Sequence, residues 1–219
     1  MTFKTNNMEF QPLQYVYQSA GTPGAATLLL LHGTGGDEYD LLPVARQFGS
    51  DINVLSVRGN VSEQGMPRFF KRLGMGVFDE KDLTFRSHEL AHFLEEVSVR
   101  EGFDLRKVVA LGYSNGANIA AALLLLHPGL LQGAILFRPM QPFREFPQLQ
   151  DAGHTPVFMS NGLQDPTINS AHTERYVQHM TQAGFAVSHH NFPVGHNLTQ
   201  EDLKLSVDWY SKNFIHGSI

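Results

Sequence analysis

The sequence predicts an α/β protein: a mostly parallel central sheet with helices on both faces. Three observations carry this. Short apolar runs alternate along the chain with longer stretches of helical period, the mark of successive βαβ units. The apolar runs have strand length and read as buried. The composition, 219 residues with 42% hydrophobic and 17% charged, is that of an ordinary globular domain large enough for a sizeable core.

The elements follow in order. QPLQYVYQSA (11–20) predicts an antiparallel strand at the start. ATLLLL (26–31) predicts a buried strand, residues 38–48 a helix, and INVLSV (52–57) a second buried strand. Residues 58–80 fit neither period. They are rich in glycine and aromatics, and loops of that length usually carry function. A helix is expected over 82–101, then KVVALGY (107–113) as a strand and 116–127 as a helix. GAILF (133–137) and TPVFMSN (155–161) are strands, 170–183 a helix, AVSHHNF (186–192) a strand and 199–214 a helix. No linker, repeat or large lid interrupts this, so residues 1–219 read as a single domain.

Composition narrows the function. A net charge of −5 supplies no basic stripe, so nucleic acid is not an expected partner. The absence of cysteine removes disulfides, thiolate metal sites and a cysteine nucleophile, and fits a cytoplasmic location. The run AATLLLLHG is too short to cross a bilayer and MTFKTNNMEFQPLQ lacks a signal-peptide core, so no stable membrane insertion is expected. The oligomeric state is not given, a homodimer remaining open.

Ligands of such sheets bind beyond the carboxyl ends of the strands, so chemistry is sought in the loops after them. Gly112-Tyr113-Ser114-Asn115-Gly116 matches G-x-S-x-G, between an apolar strand and an alanine-rich helix. That sharp turn lifts a serine off the sheet. Its hydroxyl needs a base, and the base an orienting acid, in the chain order Ser, Asp or Glu, His. Asp165 follows the strand at 155–161 and His196 follows the strand at 186–192, so both loops open on the edge where Ser114 lies. Asp151 and His154 are fallback candidates, but they precede a strand. His32-Gly33-Thr34-Gly35-Gly36 follows the first central strand. A backbone N–H of Thr34, with that of Asn115, would form an oxyanion hole. The same glycines lack the Lys-Ser/Thr ending of a phosphate loop and the spacing of a dinucleotide fingerprint. His32 comes too early in the chain order to be the base and reads as structural.

A second signature competes. His88-Glu89-Leu90-Ala91-His92 is H-E-x-x-H, a zinc-peptidase pattern. On a helix at 82–101, Leu83, Leu90, Phe93, Leu94 and Val97 make the core-facing stripe, which turns His88 and His92 towards solvent. The downstream glutamates Glu95, Glu96 and Glu101 lie on or at the end of the same helix, so no third ligand is supplied from elsewhere. No metal site is expected. His189 and His190, adjacent on a strand, point to opposite faces and cannot jointly grip one ion.

The blocks LLLLHGTGGDEYDLLPVAR, GYSNGANIAAALLLLHP, NGLQDP and VGHNLT together resemble the α/β-hydrolase superfamily, within it the carboxylesterase/phospholipase group that includes acyl-protein thioesterases. RFFKRLGMGVFDEKDL resembles a bacterial subgroup of small carboxylesterases, some associated with quinone or metal stress. The resemblance implies the α/β-hydrolase fold, Ser114, Asp165 and His196 as catalytic triad, and no cofactor. Dienelactone hydrolases share the fold but typically use a cysteine, which this chain lacks.

The expected activity is hydrolysis of a small-molecule carboxylic ester, small or medium, through an acyl-enzyme. The same triad would also serve a lysophospholipase or acyl-protein thioesterase, and a non-catalytic small-molecule binder is the alternative without chemistry. Met66, Phe69, Phe70, Phe78, Met140 and Phe143 are the expected apolar walls of the substrate pocket. Arg68, Lys71 and Arg72 could attract an anionic substrate, but three charges on a loop read first as solvated.

Overall fold

A computed structural model describes residues 9–74, 76–148 and 152–215; Asp151 lies outside them. Seven strands form the central sheet: β1 (Tyr15–Gln18), β2 (Thr27–Leu31), β3 (Asn53–Val57), β8 (Val108–Tyr113), β9 (Gly133–Phe137), β10 (Pro156–Gly162) and β11 (Ala186–Phe192). Their spatial order is β1-β3-β2-β8-β9-β10-β11, and every pairing is parallel except that of β1 on β3. The helices are α1 (Leu42–Ala45), α2 (Glu80–Glu101), α3 (Asn115–Leu126), α4 (Ser170–Gln182) and α5 (Gln200–Tyr210).

Strand alternation makes two cores. Leu29, Leu31 and Leu55 point to the face covered by Leu94 of α2, Leu123 of α3 and Met180 of α4. Leu28, Leu30 and Ile135 point to the other, covered by Phe48 and by Leu203 and Tyr210 of α5. All residues of β2, β3 and β9 are buried, as expected of strands with helices on both sides.

The differences from the expected elements have local causes. The helix expected over 38–48 shrinks to α1 and a 3-10 turn at Arg46–Phe48. Asp37 turns the chain by accepting the Tyr39 N–H, and Pro43 is tolerated only in a first helical turn. Helix α2 starts at Glu80, two residues early, because Asp79 caps it by accepting the Asp82 N–H. Helix α5 ends at Tyr210 and gives way to a π turn over Ser211–Ile215. Residues 58–80 form two small hairpins, β4 (Val61–Glu63) with β5 (Met66–Arg68), and β6 (Arg72–Gly74) with β7 (Val77–Phe78). Strands of two or three residues are too short to print a period.

The H-E-x-x-H segment also differs. His92 is half exposed, as expected, but His88 packs against α3, its Nδ1 lying 2.9 Å from His127 Nε2. The helical wheel considered only the sheet as neighbour, whereas α2 also packs on α3. Glu89 is buried and accepts from Arg86, the Gln11 N–H and Asn60 Nδ2. Among the described residues no group of three or more metal-ligating side chains converges.

Candidate active site

The site forms where β2, β8, β10 and β11 end. Ser114 occupies the turn between β8 and α3, with φ 52° and ψ −109°. A non-glycine residue there is strained, by roughly 1–3 kcal/mol, and is held only by its surroundings. The Ser114 N–H donates to Phe137 O at 2.9 Å and its carbonyl accepts from Asn118 N. The flanking glycines are required by contact: a Cβ on Gly116 would stand 1.9 Å from Leu31 O, and one on Gly112 2.5 Å from the Gly116 carbonyl. Strand β2, the elbow and α3 are therefore as close as backbones allow.

Asp165 and His196 meet across the ends of β10 and β11. His196 Nδ1 and Asp165 Oδ2 are 2.5 Å apart. The Asp165 side chain is fully buried, while that of His196 is 33% exposed. Gly162 lets the loops close, since a Cβ there would stand 2.2 Å from Gly195 O. Burial alone would raise the Asp165 pKa, but hydrogen bonds from the Thr167 hydroxyl, from His196 and from the Thr167 N–H outweigh it and hold the carboxyl below its ordinary value. Asp165 is therefore an ionised, fixed acceptor at neutral pH.

Tyr113 links this pair to the elbow. Its hydroxyl donates to His196 O at 3.2 Å and its ring centroid lies 5.4 Å from the imidazole. Ser114 Oγ and His196 are not hydrogen-bonded to each other, an open arrangement common without substrate. Thr34 lies in the loop after β2, and Asn115 opens α3 directly after Ser114. Neither backbone N–H has an acceptor among the described residues, so both are free to meet an oxyanion.

Two features of the site carried no sequence signal. Arg138, with φ 55°, is fully buried and bidentate to Asp202 of α5, 2.8 Å on each oxygen. It also donates to Ser160 Oγ and to Asn197 O, the carbonyl after His196. An arginine after a strand looks like a surface residue in the sequence, and only the topology brings Asp202 to it. The second is Arg68, which is buried and donates to Thr34 Oγ1, whereas Lys71 is exposed. Arg72 is partly buried and paired with Glu63. The reading of Arg68 as a solvated loop charge is thus corrected.

Phe78, Met140 and Phe143 line a cavity of about 470 Å³, with Val77, Pro142 and Ile168. Arg144 and Arg175 also border it, and so does Thr167, the partner of Asp165. Met140 is tied to the elbow helix by its N–H, which donates to Asn118 Oδ1 at 2.7 Å. Phe69 and Phe70 are buried in the core, and Met66 is partly exposed beside Gly35. His32 is buried; its Nε2 accepts the Gly59 N–H at 3.0 Å and its ring lies 4.7 Å from Phe69. His189 and His190 have separate partners, Asn161 and the Phe158 ring.

The chain and its fold are similar to known proteins. A family model described as Phospholipase/Carboxylesterase matches residues 14–213. MhqD of Bacillus subtilis (strain 168), described as a hydrolase, is 42% identical over 203 residues, which are 93% of this chain and all of that protein. A crystal structure of a Bacillus cereus carboxylesterase superposes with a TM-score of 0.89 at 46% identity, covering 92% of this chain and 95% of that one. A carboxylesterase from Mesorhizobium loti gives a TM-score of 0.85 at 29% identity, covering 94% and 99%.

Proposed function

The chain belongs to the phospholipase/carboxylesterase family and is an ester-hydrolysing enzyme; from that premise we propose a serine mechanism run by Ser114, His196 and Asp165 within one domain. The observation that carries the assignment is the 2.5 Å bond between His196 and a buried, ionised Asp165, beside a strained elbow serine.

Ser114 Oγ attacks the ester carbonyl while His196 Nε2 takes its proton. Asp165 holds the other ring nitrogen, which fixes the tautomer and stabilises the imidazolium. The oxyanion of the tetrahedral intermediate faces the N–H groups of Thr34 and Asn115, a stabilisation worth about 3–4 kcal/mol per donor in a comparable site. The intermediate collapses, the C–O bond to the alcohol breaks, and His196 protonates the leaving oxygen. Water then attacks the acyl-serine with His196 as base, releasing the acid and the free serine.

The cavity beside the triad loops is read as the substrate site. Its apolar wall of Phe78, Met140 and Phe143 and its size suit small or medium acyl or aryl esters. A cytoplasmic location is proposed with it on the cysteine-free composition.

Ser114→Ala tests the mechanism. With p-nitrophenyl esters of increasing chain length, kcat should fall on the order of a millionfold, as in the best-studied serine proteases. A variant that turns over at the parent rate contradicts the assignment.

A further inference from the structure

The first hairpin and its flanks touch both sides of the proposed oxyanion hole. On the Thr34 side, Arg68 at the end of β5 donates from Nη1 to Thr34 Oγ1 at 2.6 Å. Gly35 N–H donates to Pro67 O at 2.9 Å, and Gly59 N–H to His32 Nε2 at 3.0 Å. On the other side, the N–H of Phe69 donates to Asn115 Oδ1 at 2.8 Å. Arg68 and Phe69 are consecutive. One peptide therefore bridges the two loops that carry the free N–H groups.

Arg68 is built into this position. It is 3% exposed, its Nε donates to Phe70 O at 3.2 Å, and Glu63 Oε2 lies 3.2 Å from the same nitrogen. A Cβ on Gly59 would stand 2.3 Å from the Arg68 carbonyl, so the strand end is pressed against the residues after β3. A buried guanidinium is costly to desolvate and persists only when paired and hydrogen-bonded. Here the carboxylate of Glu63, a backbone carbonyl and the Thr34 hydroxyl supply those partners. Thr34 itself is exposed and follows Gly33, so little else on its side chain fixes its peptide plane.

We propose that Arg68 is a positioning residue for the oxyanion hole: through Thr34 Oγ1, and through the Phe69–Asn115 bond next to it, it sets the separation of the two N–H donors. The proposal rests on the serine mechanism above. Arg68 touches neither the reacting carbonyl nor the nucleophile in this role. Its effect belongs to the tetrahedral state, where donor placement matters, and not to ground-state ester binding.

The test compares turnover with binding of a tetrahedral adduct. A phenylboronic acid is the probe, since it forms such an adduct with a serine hydroxyl. In Arg68→Met, kcat should fall by about 10–100-fold, the scale on which small misplacements act, with KM unchanged. Boronate affinity should weaken by the same factor. Thr34→Val keeps the backbone N–H and removes the acceptor; it should lose turnover and boronate affinity in the same parallel way. Combining it with Arg68→Met should add nothing to the Arg68→Met loss, because the Arg68–Thr34 bond that Thr34→Val breaks is already gone. Should Arg68→Met fail to fold, Thr34→Val decides. Unchanged kcat, a rise in KM alone, additive losses, or boronate binding that does not follow kcat would overturn the inference. If the boronate leaves the parent enzyme uninhibited, the serine mechanism itself fails and the inference falls with it.

Discussion

The imidazoles of His196 and His88 each belong to a catalytic-looking signature, and the partners they meet suit them to opposite tasks. His196 contacts a carboxylate at 2.5 Å, and His88 contacts the imidazole of His127 at 2.9 Å. At the sheet edge the partner is ionised Asp165, the counter-charge that the proposed mechanism needs, and the ring remains one-third exposed. Between α2 and α3, no carboxylate among the described residues contacts His127. Burial, with the neighbouring His88, pushes its pKa down to about 4. Such a ring stays neutral at physiological pH and serves as packing. The spacing of a motif is therefore weaker evidence than the charge and exposure of the partner its side chains meet.

The largest expected effect removes that partner. Asp165→Asn keeps the shape but can donate where the carboxylate accepts, so the imidazole loses its tautomer and its counter-charge. The fall in kcat should be on the order of ten-thousandfold, as for the same change in a protease triad. A steady-state assay showing a loss of less than tenfold would remove the difference between the two pairs.

A smaller effect belongs to the other pair and appears in stability. Unfolded, His127 takes up its proton near 6.5; folded, only at about 4. Between those values the unfolded chain binds more protons, so stability declines as pH falls through that window and is level above it. With allowance for the partial exposure of the ring, the total is on the order of 2 kcal/mol. His127→Leu should reduce the slope of the urea midpoint between pH 6.5 and pH 4, leaving the part due to buried His32 and His189, with kcat at neutral pH unchanged. An unaltered slope would show that the buried imidazole does not titrate as described.

The strands were legible because β2, β3, β8 and β9 are buried on both faces almost throughout and are therefore mostly apolar. The sequence brings Ser114, Asp165 and His196 to one edge because a parallel sheet sends every loop after a strand to the same side. What it could not show depends on distant encounters. The 58–80 hairpins are held by bonds such as Phe69 to Asn115, 46 residues away. Arg138 meets Asp202 across 64 residues. Arg68 looks solvated in its own segment and is buried only because the hairpin folds back on Thr34. The helical wheel failed for His88 for the same reason, since it carries no information about a second helix.

Labelling with a fluorophosphonate, followed by mapping of the modified peptide, tests the serine assignment most directly. The account predicts one adduct per chain, on Ser114, with turnover lost in step with labelling. Turnover that survives complete modification of Ser114, or labelling that abolishes activity from another residue, would contradict it.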